Sequence, residues 1–195
     1  MKPISVMLLA VALTVPALGS YTYVITDGMD FGGKTLGSGE SLLMTGGGGH
    51  SLSLGNGSFA LIQGTAPYNQ DVYPSGGIYD IGVGGHLDFS GGEVYRIGVT
   101  AYGKATLSGG TIQRLQTSQS VYGQIDPYVT IICKEWDYNT TTKMLTGKWL
   151  DGLDFSIQLI DVAGYTPTIN NITFIPEPAS LVLIGLGGLL IRRRK

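Results

Sequence analysis

The feature that most constrains the fold of this chain is an internal repeat of eight residues. The segment 85–92, Gly-His-Leu-Asp-Phe-Ser-Gly-Gly, recurs 18 residues later at 103–110 as Gly-Lys-Ala-Thr-Leu-Ser-Gly-Gly. In both copies apolar and polar residues alternate, which is the pattern of a short strand with one buried face. One copy cannot bury that face alone, whereas stacked copies form a continuous interior. The repeat therefore predicts an all-β fold built as a short, irregular β-solenoid.

The same offset predicts which side chains stack inside the coil. The expected pairs are Leu87 over Ala105, Phe89 over Leu107, Val94 over Ile112 and Ile97 over Leu115. Weaker copies occur at 57–64 and at 75–83, and the second aligns with 90–99 when one residue is inserted. Gly-Gly pairs supply the corners, because glycine reaches positive φ without steric cost. A β-sandwich with repetitive hairpins is the structural alternative.

Two segments depart from the repeat. Residues 65–74 contain two prolines and predict a loop leaving the coil. Longer strands are predicted after residue 127, at 128–136, 143–150, 155–160 and 169–175, as antiparallel hairpins that cap the last turn of the coil. The predicted organisation is a signal peptide at 1–19, a Gly-rich β-solenoid at 20–126, an antiparallel β cap at 127–175 and a tail at 176–195.

The charge and cysteine content narrow the classes of partner. Residues 20–175 contain 7 Lys and Arg and 13 Asp and Glu, a net charge near −6. Nucleic acid is therefore a poor candidate partner, since its binding depends on a basic surface. Cys133 is the single cysteine, so an intrachain disulfide is impossible and stability must come from packing.

The N-terminal residues have the pattern of a cleavable secretory signal. A lysine at position 2 precedes the apolar stretch 4–15, and small residues follow at Ala17 and Gly19. Cleavage is expected after Gly19, with Ala17 as the alternative. The body should therefore be exported.

The C-terminal residues predict a short membrane-associated segment. The run 179–191 holds 13 apolar or small residues, and a terminal apolar helix of that length would span roughly 20 Å, against about 30 Å for the hydrocarbon core. Prolines at 176 and 178 prevent the helix from extending backwards. The basic end Arg192, Arg193, Arg194 and Lys195 should stay on the cytoplasmic side.

Residues 176–195 resemble the PEP-CTERM sorting domain of exported bacterial proteins. The resemblance is carried by the triplet Pro176, Glu177 and Pro178, the apolar run and the basic end, in that order at the chain terminus. It implies that a membrane-embedded exosortase processes the tail. It also implies a membrane-tethered precursor and then a place at the surface or in the extracellular matrix of a Gram-negative-type bacterium. A plain tail anchor is the alternative.

The search for a chemical site is mostly negative, and no metal or cofactor is predicted. His50 and His86 both follow Gly-Gly, and Lys104 and Ser58 occupy the same place in other copies, which is typical of an exposed turn position. The Asp-Gly pairs lack calcium-binding spacing and predict turns.

Enzymatic activity is not expected. Asp80, Asp88 and Glu93, with Arg96 nearby, are the candidates for the carboxylate pair of a polysaccharide-active β-helix enzyme. They fall on the outward positions of short strands, where charge also serves solubility.

Binding of glycans is the alternative function. Tyr79 and Tyr95 align between repeat copies, and Tyr68 and Tyr73 lie on the predicted loop, so their rings could stack on sugars. The primary hypothesis is a structural or interaction protein of the surface or exopolysaccharide matrix, with exopolysaccharide as a hypothetical partner. A carbohydrate-binding surface module is the second hypothesis.

Overall fold

A computed structural model of the chain describes residues 20–67, 77–118 and 128–176. They form 14 strands and one 3-10 helix, Thr168–Asn171. The first seven strands are Tyr23–Ile25 (β1), Gly33–Leu36 (β2), Ser41–Met44 (β3), Gly48–Leu54 (β4), Phe59–Ile62 (β5), Gly77–Val83 (β6) and His86–Phe89 (β7). The others are Glu93–Val99 (β8), Lys104–Leu107 (β9), Thr111–Thr117 (β10), Tyr128–Asn139 (β11), Met144–Trp149 (β12), Asp154–Ile160 (β13) and Ile172–Pro176 (β14).

The strands form two parallel stacks that wind as one coil. The short-strand stack runs β1, β3, β5, β7, β9 and the first part of β11, and the long-strand stack runs β2, β4, β6, β8, β10 and β13. Each turn of the coil contributes one strand to each stack. The predicted β-solenoid is confirmed, and the parallel pairing differs from the hairpins of the β-sandwich alternative.

The interior consists of apolar columns that run along the coil. All four predicted stacking pairs are confirmed, since Leu87 pairs with Ala105, Phe89 with Leu107, Val94 with Ile112 and Ile97 with Leu115. The register expected after the single insertion is also confirmed, because Ile78 pairs with Val94 and Val83 with Val99. These side chains are almost fully buried. Alternation within each strand therefore builds the core, as the repeat predicted.

A second kind of corner lies inside the long strands. In β6, Ile78 and Ile81 are buried while the two residues between them, Tyr79 and Asp80, are not. β4, β8 and β10 show the same spacing. Two consecutive outward residues break the alternation of a straight strand, so the chain bends there. Each bend presents two outward columns of side chains.

The C-terminal strands continue the coil and then close it. β11 pairs with β9 through its first residues, shifts register between Cys133 and Glu135, and pairs antiparallel with β12 through its second half. β12 is antiparallel to β13, which joins the long-strand stack beside β10. The last strand corrects the prediction of antiparallel hairpins, because β14 is parallel to β11. A connection of about a dozen residues, too long for a hairpin, allows this crossover.

Trp149 fills the interior where the coil closes. Its side chain is 1% exposed, and its ring lies 4.3 Å from that of Phe155. Its Nε1–H donates a hydrogen bond to the Gly110 carbonyl at 3.0 Å. The indole thus caps the apolar columns while its polar group stays satisfied.

Several predictions lie outside the described residues. They are the signal peptide at 1–19, most of the loop at 65–74 with Tyr68 and Tyr73, Glu177 and Pro178, the apolar helix at 179–191, and the basic end at 192–195. Within the described ranges, no helix is long and apolar enough to cross a membrane.

Candidate functional site

The predicted sorting triplet begins inside the folded body. Pro176 is the last residue of β14 and pairs with Cys133 of β11. Among the described strands β14 pairs with β11 alone, and proline is tolerated on such an edge strand. The motif is therefore connected to the sheet without a linker.

A buried polar cluster holds the chain just before β14. The Thr168 hydroxyl donates to the Ile160 carbonyl at 2.7 Å and accepts from the Thr117 N–H at 3.1 Å. Asn171 donates from Nδ2 to the Thr117 hydroxyl at 2.9 Å. Thr117 and Thr168 are fully buried. Because buried polar groups are costly when unpaired, this network fixes the start of β14 to the end of β10.

An aromatic pair lies beside the end of β14. The rings of Trp136 and Phe174 stack at a centroid distance of 3.9 Å and an interplanar angle of 10°. Phe174 packs on the core, whereas Trp136 is 48% exposed. With one face covered by Phe174, the exposure of Trp136 comes from its other face and its edges. The sequence analysis did not select Trp136, whose one available signal is that it is one of only two tryptophans.

The structure brings Tyr79 and Tyr95 together, as their alignment predicted. Their rings stack at 4.9 Å, His50 stacks on Tyr79 at 5.3 Å, and the Arg114 guanidinium lies 4.7 Å from the centre of the Tyr95 ring. We call this column of four side chains the surface ladder. Each tyrosine therefore has a neighbour on both faces. Sugar stacking requires a free ring face, so glycan contact here would have to use ring edges and hydroxyl groups.

The candidate carboxylates are separated by the fold. Asp80 lies at the bend of β6 and accepts two hydrogen bonds from Arg96, which raise the pKa of that guanidinium. Asp88 lies on the short-strand stack, 3.0 Å from His86 Nε2. The Glu93 backbone exchanges hydrogen bonds with the Thr65 hydroxyl. Asp80 and Asp88 thus face different sides of the coil. Among the described residues no group of three or more His, Cys, Asp or Glu is placed to hold a metal.

The predicted equivalence of the two histidines is wrong. His50 lies on β4 in the long-strand stack, whereas His86 lies on β7 in the short-strand stack. His86 pairs with Lys104, as predicted, and with Phe59 rather than Ser58. Ser58 is 3% exposed, because its hydroxyl turns back to the Gly55 carbonyl at 2.7 Å. The error for Ser58 is a one-residue change in register, whereas His50 belongs to the other stack altogether.

A shallow cleft of about 380 Å³ opens where the short strands begin. His86, Lys104 and Tyr128, which are in register on consecutive strands, line it together with Tyr102. Tyr128 and Tyr102 are 57% and 43% exposed. Sequence reasoning missed both tyrosines because neither belongs to an aligned aromatic position.

Cys133 lies in the interior of the coil. Its side chain is 1% exposed, and burial raises the pKa of the thiol. The neutral thiol is therefore favoured, and the residue packs as a small apolar group.

Comparison with known proteins adds one match. Residues 174–195 match the model of the PEP-CTERM protein-sorting motif. No curated protein matches the chain, and no solved structure matches it. The matched region includes the last three residues of β14, so the motif overlaps the folded body.

Proposed function

Because this chain carries a PEP-CTERM sorting motif and is an exported protein sorted through an exosortase, we propose that its body acts outside the cell as a structural and interaction protein. The tail anchors the precursor in the membrane before processing. The proposed destination is the cell surface or the exopolysaccharide matrix. The body, in this proposal, is a rigid unit that the tail delivers there.

The observation that carries the proposal is the direct connection of motif and coil. The sorting motif begins within β14, and β14 is held by β11 and by the buried Thr117 and Thr168 cluster. Attachment of the tail therefore holds the whole coil in place and not a flexible segment alone. A rigid coil with apolar columns suits a structural element, since each turn is supported by its neighbours.

The experiment follows the protein in an exosortase-containing host. The unaltered chain should leave the membrane fraction and collect at the surface or in the extracellular matrix. A chain with Glu177→Ala and Pro178→Ala should stay in the membrane fraction at its full length. Residence of the unaltered chain in the cytoplasm would contradict the proposal.

A carbohydrate-binding module is the second candidate, and the cleft beside Tyr128 supports it. An exposed tyrosine beside a lysine and a histidine offers a ring face together with hydrogen-bond donors. Binding of the chain to glycans on an array, lost in Tyr128→Ala and kept in Tyr79→Ala, would favour this function over a purely structural one. The absence of any glycan response would remove it.

A further inference from the structure

The tether between the folded body and the apolar run is very short. β14 ends at Pro176, and the apolar run begins at Ala179. Two residues lie between them, so the three Cα–Cα steps of a fully extended chain cover at most about 11 Å. While the tail is anchored, the end of β14 therefore cannot move away from the lipid headgroups, whose layer on each side of the bilayer is roughly 5–8 Å thick.

The length of the apolar run draws the body still closer. A helix of its 13 residues would fall about 10 Å short of the hydrocarbon thickness. A short span is accommodated by thinning of the bilayer and by moving its flanking residues into the interface. The flank on the outer side is the sorting triplet, whose first residue is the end of β14.

The surface around the end of β14 has the side chains that such a position favours. Trp136, stacked on Phe174, is 48% exposed, and Ile175, on the opposite face of β14, is 46% exposed. Tryptophan is enriched at the membrane interface, where an apolar ring and one polar N–H are both accommodated. Contact with the headgroup region would remove part of the exposed apolar surface of Trp136 from water.

The charges near Trp136 are partly neutralised by pairing. Glu135 and Asp137 flank Trp136 on β11 and, with Lys148 and Asp154, line the same cleft as the indole. Glu135 is paired with Lys148 at 2.8 Å. Gly147, the partner of Trp136 on β12, adds no side chain beside the indole.

We infer that Trp136 and Phe174 form a membrane-docking surface, which rests against the lipid headgroup region while the tail is anchored. The surface would hold the coil in one orientation and present the sorting triplet at the level of the bilayer. The inference rests on the membrane-anchored stage of the proposed sorting function.

The test uses the full chain in phosphatidylcholine vesicles with brominated acyl chains, which quench nearby tryptophan. Trp149 is buried and supplies a constant background, so the Trp136→Phe variant isolates the signal of Trp136. We expect brominated lipid to quench a component of the emission that Trp136→Phe lacks. Val24→Ser, which alters an exposed apolar side chain on β1 at the other end of the coil, should leave that quenching unchanged.

The outcomes separate this inference from the sorting function. Chain that floats with the vesicles but shows the same quenching in Trp136→Phe would overturn the docking surface and leave the anchorage intact. Chain that does not float with the vesicles would overturn the anchorage and the docking surface together.

Discussion

Asp80 and Arg96 occupy the same bend on consecutive turns of the coil, and the guanidinium donates from Nε at 2.8 Å and from Nη2 at 2.6 Å to the two carboxylate oxygens. The pair joins β6 to β8 on the outer surface, beside the stacked rings of Tyr79 and Tyr95. Both side chains are partly exposed, so water and salt screen their attraction.

Replacing Asp80 by Asn should therefore have a modest effect on stability. We expect a loss of about 0.5–1 kcal/mol in the free energy of unfolding, because the geometry is bidentate but the site is partly solvated. Urea unfolding at low and high salt measures it, and the loss should shrink as salt is raised. Asp88→Asn, which alters the more exposed contact with His86, is the matched control. A larger loss of unfolding free energy in Asp88→Asn than in Asp80→Asn would contradict the prediction that the Asp80–Arg96 pair is the more stabilising of the two.

The corner glycines should differ in how strongly they resist substitution. A Cβ on Gly109 would overlap the Ser90 carbonyl of the preceding turn, whereas Gly39 has open space but a φ of 81°. We expect Gly109→Ala to cost about 3 kcal/mol through overpacking. Gly39→Ala should cost roughly 1 kcal/mol through backbone strain. Chemical unfolding of both variants tests this order, and a reversed order would show that the turns are not closely stacked at Gly109.

Glu40 should make the N-terminal turns of the coil sensitive to acid. Its carboxylate accepts hydrogen bonds from the Gly37 N–H at 2.6 Å and from the Tyr23 hydroxyl at 2.9 Å, and the bond from Gly37 is the main reason that its pKa is lowered. A carboxylate whose pKa is lowered on folding stabilises the protein above its unfolded pKa of about 4.3. That contribution is lost as the pH falls through the lower, folded value.

Comparison with Glu40→Gln isolates this effect. The variant should be less stable than the unaltered chain at neutral pH, and the two stabilities should converge as the pH is lowered below about 4.3. The urea midpoint measured from neutral to acidic pH gives the result. A difference that stays constant across the range would mean that ionisation of Glu40 plays no part.

Thr168 should control how firmly β14 is held. Thr168→Val keeps the shape of the side chain but leaves the Thr117 N–H and the Ile160 carbonyl without this partner. The expected loss is about 2–3 kcal/mol, the cost of unpaired buried groups. Hydrogen exchange of the β14 amides should quicken as well. Thr173→Val, at an exposed position of the same strand, should change neither measurement.

Much of the fold could be predicted because the coil repeats itself. The copies at 85–92 and 103–110 set the spacing, and the pairing of Phe89 with Leu107 follows from it. The final strand could not be predicted in the same way. No repeat copy covers 172–176, so the repeat does not indicate which strand β14 joins or that the two run parallel.

The surface ladder and the Trp136–Phe174 pair were harder to predict from the sequence, because both depend on contacts between residues that are distant in the chain. The alignment of Tyr79 with Tyr95 was visible in the repeat, but the covering of their faces by His50 and Arg114 required the bend in the long strands. Trp136 meets Phe174 only because β14 returns beside β11. No local pattern records that return.

The most direct measurement for the whole account is the mass of the mature protein recovered from the surface of an exosortase-containing host. Processing of the sorting tail predicts a C-terminus near Pro178, with β14 retained and the apolar run and basic end removed. Mature surface material that still ends at Lys195 would contradict the account.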